Sequence, residues 1–138
     1  MFNLFKKPAY CDILAPVDGI SLPLEEVPDP VFAQKMMGEG IAFRFEGEKI
    51  LSPLTGTVLL HVGMDTVELQ GRGLEVYVQP GAKVRAGEPL IRIDRGFMEK
   101  NHIDLTTMLV VTNGGKYQLE IAKPGVVKTG DPVIRVMR

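Results

Sequence analysis

The feature that most constrains the fold is a pattern written twice. Val78-Gln79-Pro80-Gly81-Ala82-Lys83-Val84-Arg85-Ala86-Gly87-Glu88-Pro89-Leu90-Ile91-Arg92-Ile93 matches Ile121-Ala122-Lys123-Pro124-Gly125-Val126-Val127-Lys128-Thr129-Gly130-Asp131-Pro132-Val133-Ile134-Arg135-Val136. Each copy holds Pro-Gly, then Gly, an acidic residue, Pro and an apolar strand. Upstream, Pro53-Leu54-Thr55-Gly56-Thr57-Val58 echoes Pro16-Val17-Asp18-Gly19-Ile20. Two echoes in the same order mean an internal duplication. The period is too long for a solenoid repeat, so the chain makes one closed body. Fifteen Gly and ten Pro in 138 residues supply turns and leave little room for long helices.

Period-two alternation sets the other strands. Ile13-Leu14 starts the domain, and residues 1–12 are assigned to a flexible N-terminal tail ahead of a single domain at 13–138. Ile20 to Leu24 is a strand, with Pro23 pointing to an edge position. Ile41 to Phe45 and Ile50 to Ser52 are strands, with a hairpin turn over Glu46–Lys49. Arg95 to Asn101 is a short helical turn. Ile103 to Asn113 leads into a central apolar strand, and Asn113-Gly114 is a tight-turn signal. Asp29 is placed as a helix N-cap and Pro30 as the first helical residue. That helix, through Val31 to Met37, is expected to be the longest helical piece. Its exposed Val31, Phe32, Met36 and Met37 read either as a barrel cap or as an adaptable docking patch.

One stretch carries chemistry. Leu59-Leu60-His61-Val62-Gly63 is a strand ending in an imidazole, and Gly63 lets another backbone come close. Asp65 follows, and Val67-Glu68-Leu69 alternates as a further strand toward Gly71. On pattern alone, an inert histidine at a sheet edge competes with a reactive one. Net charge is −1, so there is no basic footprint for nucleic acid. Cys11 is the sole cysteine and cannot form an internal disulfide, which fits a reducing cytoplasm. No apolar run is long enough to span a bilayer, and the N-terminus lacks a signal-peptide core. Met1–Lys7, an apolar patch followed by two lysines, is a frayed terminus or a weak contact to the inner membrane face.

His61-Val-Gly-Met-Asp-Thr-Val-Glu-Leu-Gln-Gly closely resembles the phosphorylation-site segment of the glucose-type IIA components of the bacterial sugar phosphotransferase system. Val27 to Gly40 resembles the same family's docking segment, and the likeness runs from about Ala15 to Val136. The resemblance implies an all-β, mainly antiparallel fold, a duplicated barrel-sandwich-hybrid body with one or two short helices. It implies that His61 takes a phosphoryl group from the carrier HPr and passes it to the IIB domain of a sugar permease. It also implies regulatory contacts with other permeases or enzymes, and no cofactor. Asp29 and Asp65 would flank the site and pair with an arginine of HPr. Val31, Phe32, Met36, Met37, Leu59 and Val67 would form the apolar ring around His61. Backbone amides near Gly63 would help hold the phosphoryl oxygens.

The sequence departs from the family at one place. Gly56-Thr57-Val58 runs straight into Leu59-Leu60-His61, where the family carries further strands and a first active-site histidine. The only other histidine, His102, is expected in a solvated turn. A body truncated by those strands should expose edges, and exposed edges favour a homodimer. The relay is then impaired, and the alternatives are a non-catalytic regulatory module or an engineered deletion scaffold of the fold. A biotinyl or lipoyl carrier lacks its modified lysine at a hairpin tip here. A zinc peptidase lacks a third ligand beside His61 and Asp65, so no metal is expected.

Overall fold

The computed structural model describes residues 10–54, 60–63, 71–79, 81–111 and 117–137. Eleven strands form three sheets, and every pairing among these residues is antiparallel. β1 (Tyr10–Leu14), β11 (Pro132–Met137) and β9 (Gln118–Ile121) make one three-stranded sheet in that order. β4 (Lys49–Leu51), β7 (Pro89–Ile93) and β6 (Leu74–Val76) make another. The third sheet has five strands, β10 (Gly125–Val127), β2 (Gly19–Pro23), β3 (Glu39–Phe45), β8 (Thr107–Val111) and β5 (Leu60–Val62). Two short helices, α1 (Pro30–Ala33) and α2 (Arg95–Lys100), and one 3₁₀ turn (Leu24–Glu26) complete it.

The duplicated pattern is duplicated structure. Leu14 N–H donates to the Pro53 carbonyl at 2.7 Å, and Leu51 N–H returns the bond to Pro16 at 2.9 Å. Ala15 N–H donates to Asp131 and Ser52 N–H to Glu88, each at 2.7 Å. In both turns the acidic side chain accepts the N–H three residues back: Lys128 to Asp131 at 2.8 Å, Arg85 to Glu88 at 2.9 Å. A bulge interrupts β1–β11 after Ile13 and β4–β7 after Ile50, at matching positions. The proline of each Gly-acid-Pro triplet sits there, where a missing N–H costs the ladder least.

The main core joins the sheets through Ile13, Val17, Ile41, Phe43, Ile50, Val62, Ile93, Met98, Leu109, Val133 and Ile134. A second, smaller core lies on the opposite face of the five-stranded sheet, with Leu22, Ala42, Met108 and Val110 under Leu24, Val27 and Phe32. Alternation along the strands divides these residues between the two faces.

Several local expectations need correction. β1 starts at Tyr10, three residues earlier than expected, because Tyr10, Cys11 and Asp12 pair with Met137, Val136 and Arg135. β2 is not an edge strand: it lies between β10 and β3, and Pro23 is tolerated because β10 pairs no further than Ser21. Glu46–Lys49 closes no hairpin, since β3 and β4 belong to different sheets and β4 pairs with β7. α1 ends at Ala33 and α2 is the longer helix. α1 is stopped early by Lys35, at φ 58°, before either expected glycine. Lys35 N–H bonds the Phe32 carbonyl at 2.9 Å and Met36 N–H bonds Val31 at 3.0 Å, a Schellman closure with a lysine in the glycine position. The strand expected at Val67–Leu69 and the turn at Asn113-Gly114 lie outside the described residues.

Candidate functional site

The site grows from the register of the five-stranded sheet. Leu22 lies opposite Ala42, Ala42 opposite Met108, and Met108 opposite His61. Directly opposed residues share a face. The row Leu22–Ala42–Met108–His61 therefore runs across the floor of the smaller core and ends on β5, an outer strand of the described sheet. Met108 is fully buried and its neighbour His61 is exposed. Val62, one residue on, points into the main core instead.

The roof of that core is the segment from Leu24 to Met37. Asp29 caps α1, its Oδ1 accepting the Val31 N–H at 2.9 Å, and Pro30 takes the first helical position. This turns Phe32 inward, 7% exposed rather than exposed as expected, because it packs into the smaller core, and its ring lies 4.9 Å from that of His61 at an interplanar angle of 45°. Val31, Met36 and Met37 stay outside at 40%, 70% and 42% exposure. The segment is pinned from beyond the helix. The Lys35 ammonium reaches Glu25 of the 3₁₀ turn at 2.6 Å and Glu39 of β3 at 3.0 Å. Hydrogen bonds to Glu25 and then Glu39 raise the Lys35 pKa, and the bond from Lys35 lowers that of Glu25.

Of the residues named from sequence, the structure thus assembles His61, Phe32, Val31, Met36, Met37 and Asp29 on one segment-and-strand unit. Leu59, Asp65 and Val67 lie outside the described residues. Gly63 follows β5 at φ 78°, a conformation open to glycine, but its own N–H is donated to the Thr106 carbonyl at 3.1 Å. That bond ties the end of β5 to the entry of β8. His102 closes α2 at φ 56°: its N–H bonds Glu99 at 3.2 Å and Ile103 N–H bonds Met98 at 2.9 Å. It is an exposed helix-end residue. Sequence reasoning missed the Lys35 clamp and the Thr106 contact, because both depend on partners brought in by tertiary structure. Among the described residues no cluster of three His, Cys, Asp or Glu side chains is placed to hold a metal ion.

His61 is thus an exposed imidazole on an outer strand of the described sheet, with the Phe32 ring against its own. A family model described as phosphoenolpyruvate-dependent sugar phosphotransferase system, EIIA 1, matches residues 11–59 and 57–117. The chain belongs to this EIIA family. The glucose-specific EIIA component of Oceanobacillus iheyensis is 36% identical over 135 residues, covering 80% of this chain and 82% of that protein. The glucoside-specific EIICBA component of Staphylococcus carnosus is 32% identical over 144 residues, and the mannose-specific EIIBCA component of Corynebacterium glutamicum is 37% identical over 126. The chain spans 21% and 18% of the length of those two relatives. Glucose permease IIA from Mycoplasma capricolum superposes with a TM-score of 0.81 at 33% identity, over 97% of this chain and 99% of that one. The antiparallel β-sandwich with two short helices is the EIIA fold, as the sequence led us to expect. No helix among the described residues is long and apolar enough to cross a membrane.

Proposed function

We propose that the chain is a histidine phosphocarrier in which His61 accepts a phosphoryl group from phospho-HPr and passes it to the IIB domain of a sugar permease. The observation that carries this reading is the exposed His61 ring against Phe32, at the end of the buried cross-strand row, with Phe32 on the same segment as the exposed Val31, Met36 and Met37. A neutral ring nitrogen supplies the lone pair for the new P–N bond. The donor's P–N bond breaks as that bond forms, and its electron pair returns to the donor imidazole. The transition state is loose, with charge on the equatorial oxygens, so catalysis is positioning plus donors aimed at those oxygens. The apolar patch would exclude water around the transfer, and Asp29 and Asp65 would flank it for an arginine of HPr.

The relay is proposed to be impaired. Beside His61 the chain holds only His102, which closes α2, and the two family-model segments meet at residues 57–59, where the family's first histidine is expected. A lost hydrogen bond to the charged phosphoryl group is worth about 1.5–3 kcal/mol, on the order of ten- to a hundredfold in rate. Onward transfer to the permease should suffer more than uptake. The same two observations favour a second reading, a regulatory EIIA-like module that binds partners through the patch without relaying phosphate.

The test is to mix the protein with phosphoenolpyruvate, enzyme I and HPr and read intact mass at neutral to basic pH, with His61→Ala as control. One added phosphoryl group, absent in the variant, supports the carrier. No added mass on folded protein leaves the regulatory module. The outer strands β5 and β10 would be the surfaces for a homodimer. A monomer at high concentration in analytical ultracentrifugation removes that part.

A further inference from the structure

We propose that Asp104 is a positioning residue for His61, acting through the Thr106 carbonyl and the Gly63 N–H; the proposal rests on reading His61 as the phosphoryl acceptor. β5 is three residues long, and its neighbour among the described strands is β8. Its pairing runs from Leu60 opposite Leu109 to Val62 opposite Thr107. The next rung is the 3.1 Å bond from Gly63 N–H to the Thr106 carbonyl, two residues past His61. A short outer strand depends on each rung for its orientation, and the imidazole inherits whatever play the strand has.

Thr106 is itself held. Asp104 Oδ1 accepts both the Thr106 N–H at 2.9 Å and the Thr106 hydroxyl at 2.7 Å. Thr106 is 3% exposed, so this carboxylate oxygen satisfies two donors of a residue cut off from water. Thr107, next along, sends its hydroxyl back to the Leu105 carbonyl at 3.0 Å. The entry to β8 is thus locked by side chains just where β5 needs a fixed acceptor. Asp104 lies in the sequence 43 positions beyond His61, and only the β5–β8 register relates them. Phosphoryl transfer is sensitive to such placement, because misplacing a reacting atom by about 1 Å can cost a hundredfold in rate.

The experiment compares Asp104→Ala, Asp104→Asn and Thr106→Val in the full chain. Phosphoryl uptake from phospho-HPr gives kcat and KM, and hydrogen exchange gives the protection of the Gly63 amide. Asp104→Ala should lower kcat about tenfold with KM within about twofold, because the docking patch is untouched. Asp104→Asn keeps a side-chain carbonyl that accepts both bonds and should restore kcat to within about twofold. Thr106→Val loses the hydroxyl bond alone, should fall between them, and serves if Asp104→Ala does not fold. Gly63 should exchange faster in Asp104→Ala while the amides of Ile41–Phe45 keep their protection. Unchanged kcat in the alanine variant, a loss as large in the asparagine variant, or unchanged Gly63 exchange overturns the proposal. If the parent protein takes up no phosphoryl group, the carrier reading fails, and Gly63 exchange still decides whether Asp104 orders β5.

Discussion

The two three-stranded sheets are one backbone device built twice, and they differ in what their side chains do with it. Both β1–β11–β9 and β4–β7–β6 have a bulge before the same proline, reciprocal bonds through Pro16 and Pro53, and an acid-capped turn. Ala122 N–H bonds Val133 and Tyr77 N–H bonds Leu90, each at 2.9 Å. The first sheet pairs five positions of β1 with β11, the second only three of β4 with β7. Ile134 is 1% exposed, whereas Ile91 at the matching place is half-buried. Arg135 faces Asp12 and holds it through two bonds, at 2.8 and 3.3 Å. Arg92 faces Lys49 and turns to Glu48 and Glu75 at 3.7 and 4.0 Å. Turn geometry is demanding and survives duplication; cross-strand partners on a half-exposed face are free to change.

The largest effect should separate the sheets by burial. Ile134→Ala is expected to cost about 2–5 kcal/mol in urea unfolding, and Ile91→Ala less than about 2 kcal/mol. Equal losses would mean that the second sheet is as deeply built as the first. The turns should behave alike instead. Gly130 at φ 93° and Gly87 at φ 84° each have open space where a Cβ would go. Alanine at either should cost about 1–2 kcal/mol from backbone strain alone. Thermal melts that differ by more than about 0.5 kcal/mol would break the equivalence of the turns.

The smallest effect is electrostatic. The hydrogen bond from Arg135 holds the Asp12 carboxyl below the usual carboxylate range. A lowered folded-state pKa adds stability above the unfolded value and loses it as pH falls through the folded one. Asp12→Asn should therefore lower the urea midpoint at pH 7. The gap to the parent should close as pH drops below about 4. Arg92→Met, in the sheet without that pair, should move the midpoint less than Arg135→Met. A larger shift from Arg92 would reverse the ranking of the two pairs.

Much of this was legible in the chain, for local reasons. Asp29 before Pro30 is a cap followed by a residue with no N–H to lose, and both contacts fall within three residues. The Gly-acid-Pro triplets announce their own turns. The Leu-His-Val alternation places the imidazole and Val62 on opposite faces of a strand. Where structure and sequence part, distant partners decide. Gly38 and Gly40 signal the end of α1, yet Lys35 takes the left-handed position, with Glu25 and Glu39 holding its ammonium. Glu46–Lys49 reads as a hairpin turn and closes none, because a turn-forming sequence does not say which strand its product will pair with. Arg95, donating to the Gly47 and Phe45 carbonyls some fifty residues back, ties α2 to that crossing and left no mark in its own segment.

The sequence by itself determined the family, the β character, the doubled turn-and-strand unit and the strand that carries His61. Each rests on short-range geometry: alternation, capping and the backbone demands of Gly and Pro. Only tertiary structure decided that His61 ends the row begun by Leu22, that Phe32 lies beside it, and that Asp104 reaches it through Thr106 and Gly63. Those relations are set by the register between strands far apart in the chain. Register is chosen by how whole faces pack, because a shift of one residue would turn every side chain to the other side of the sheet.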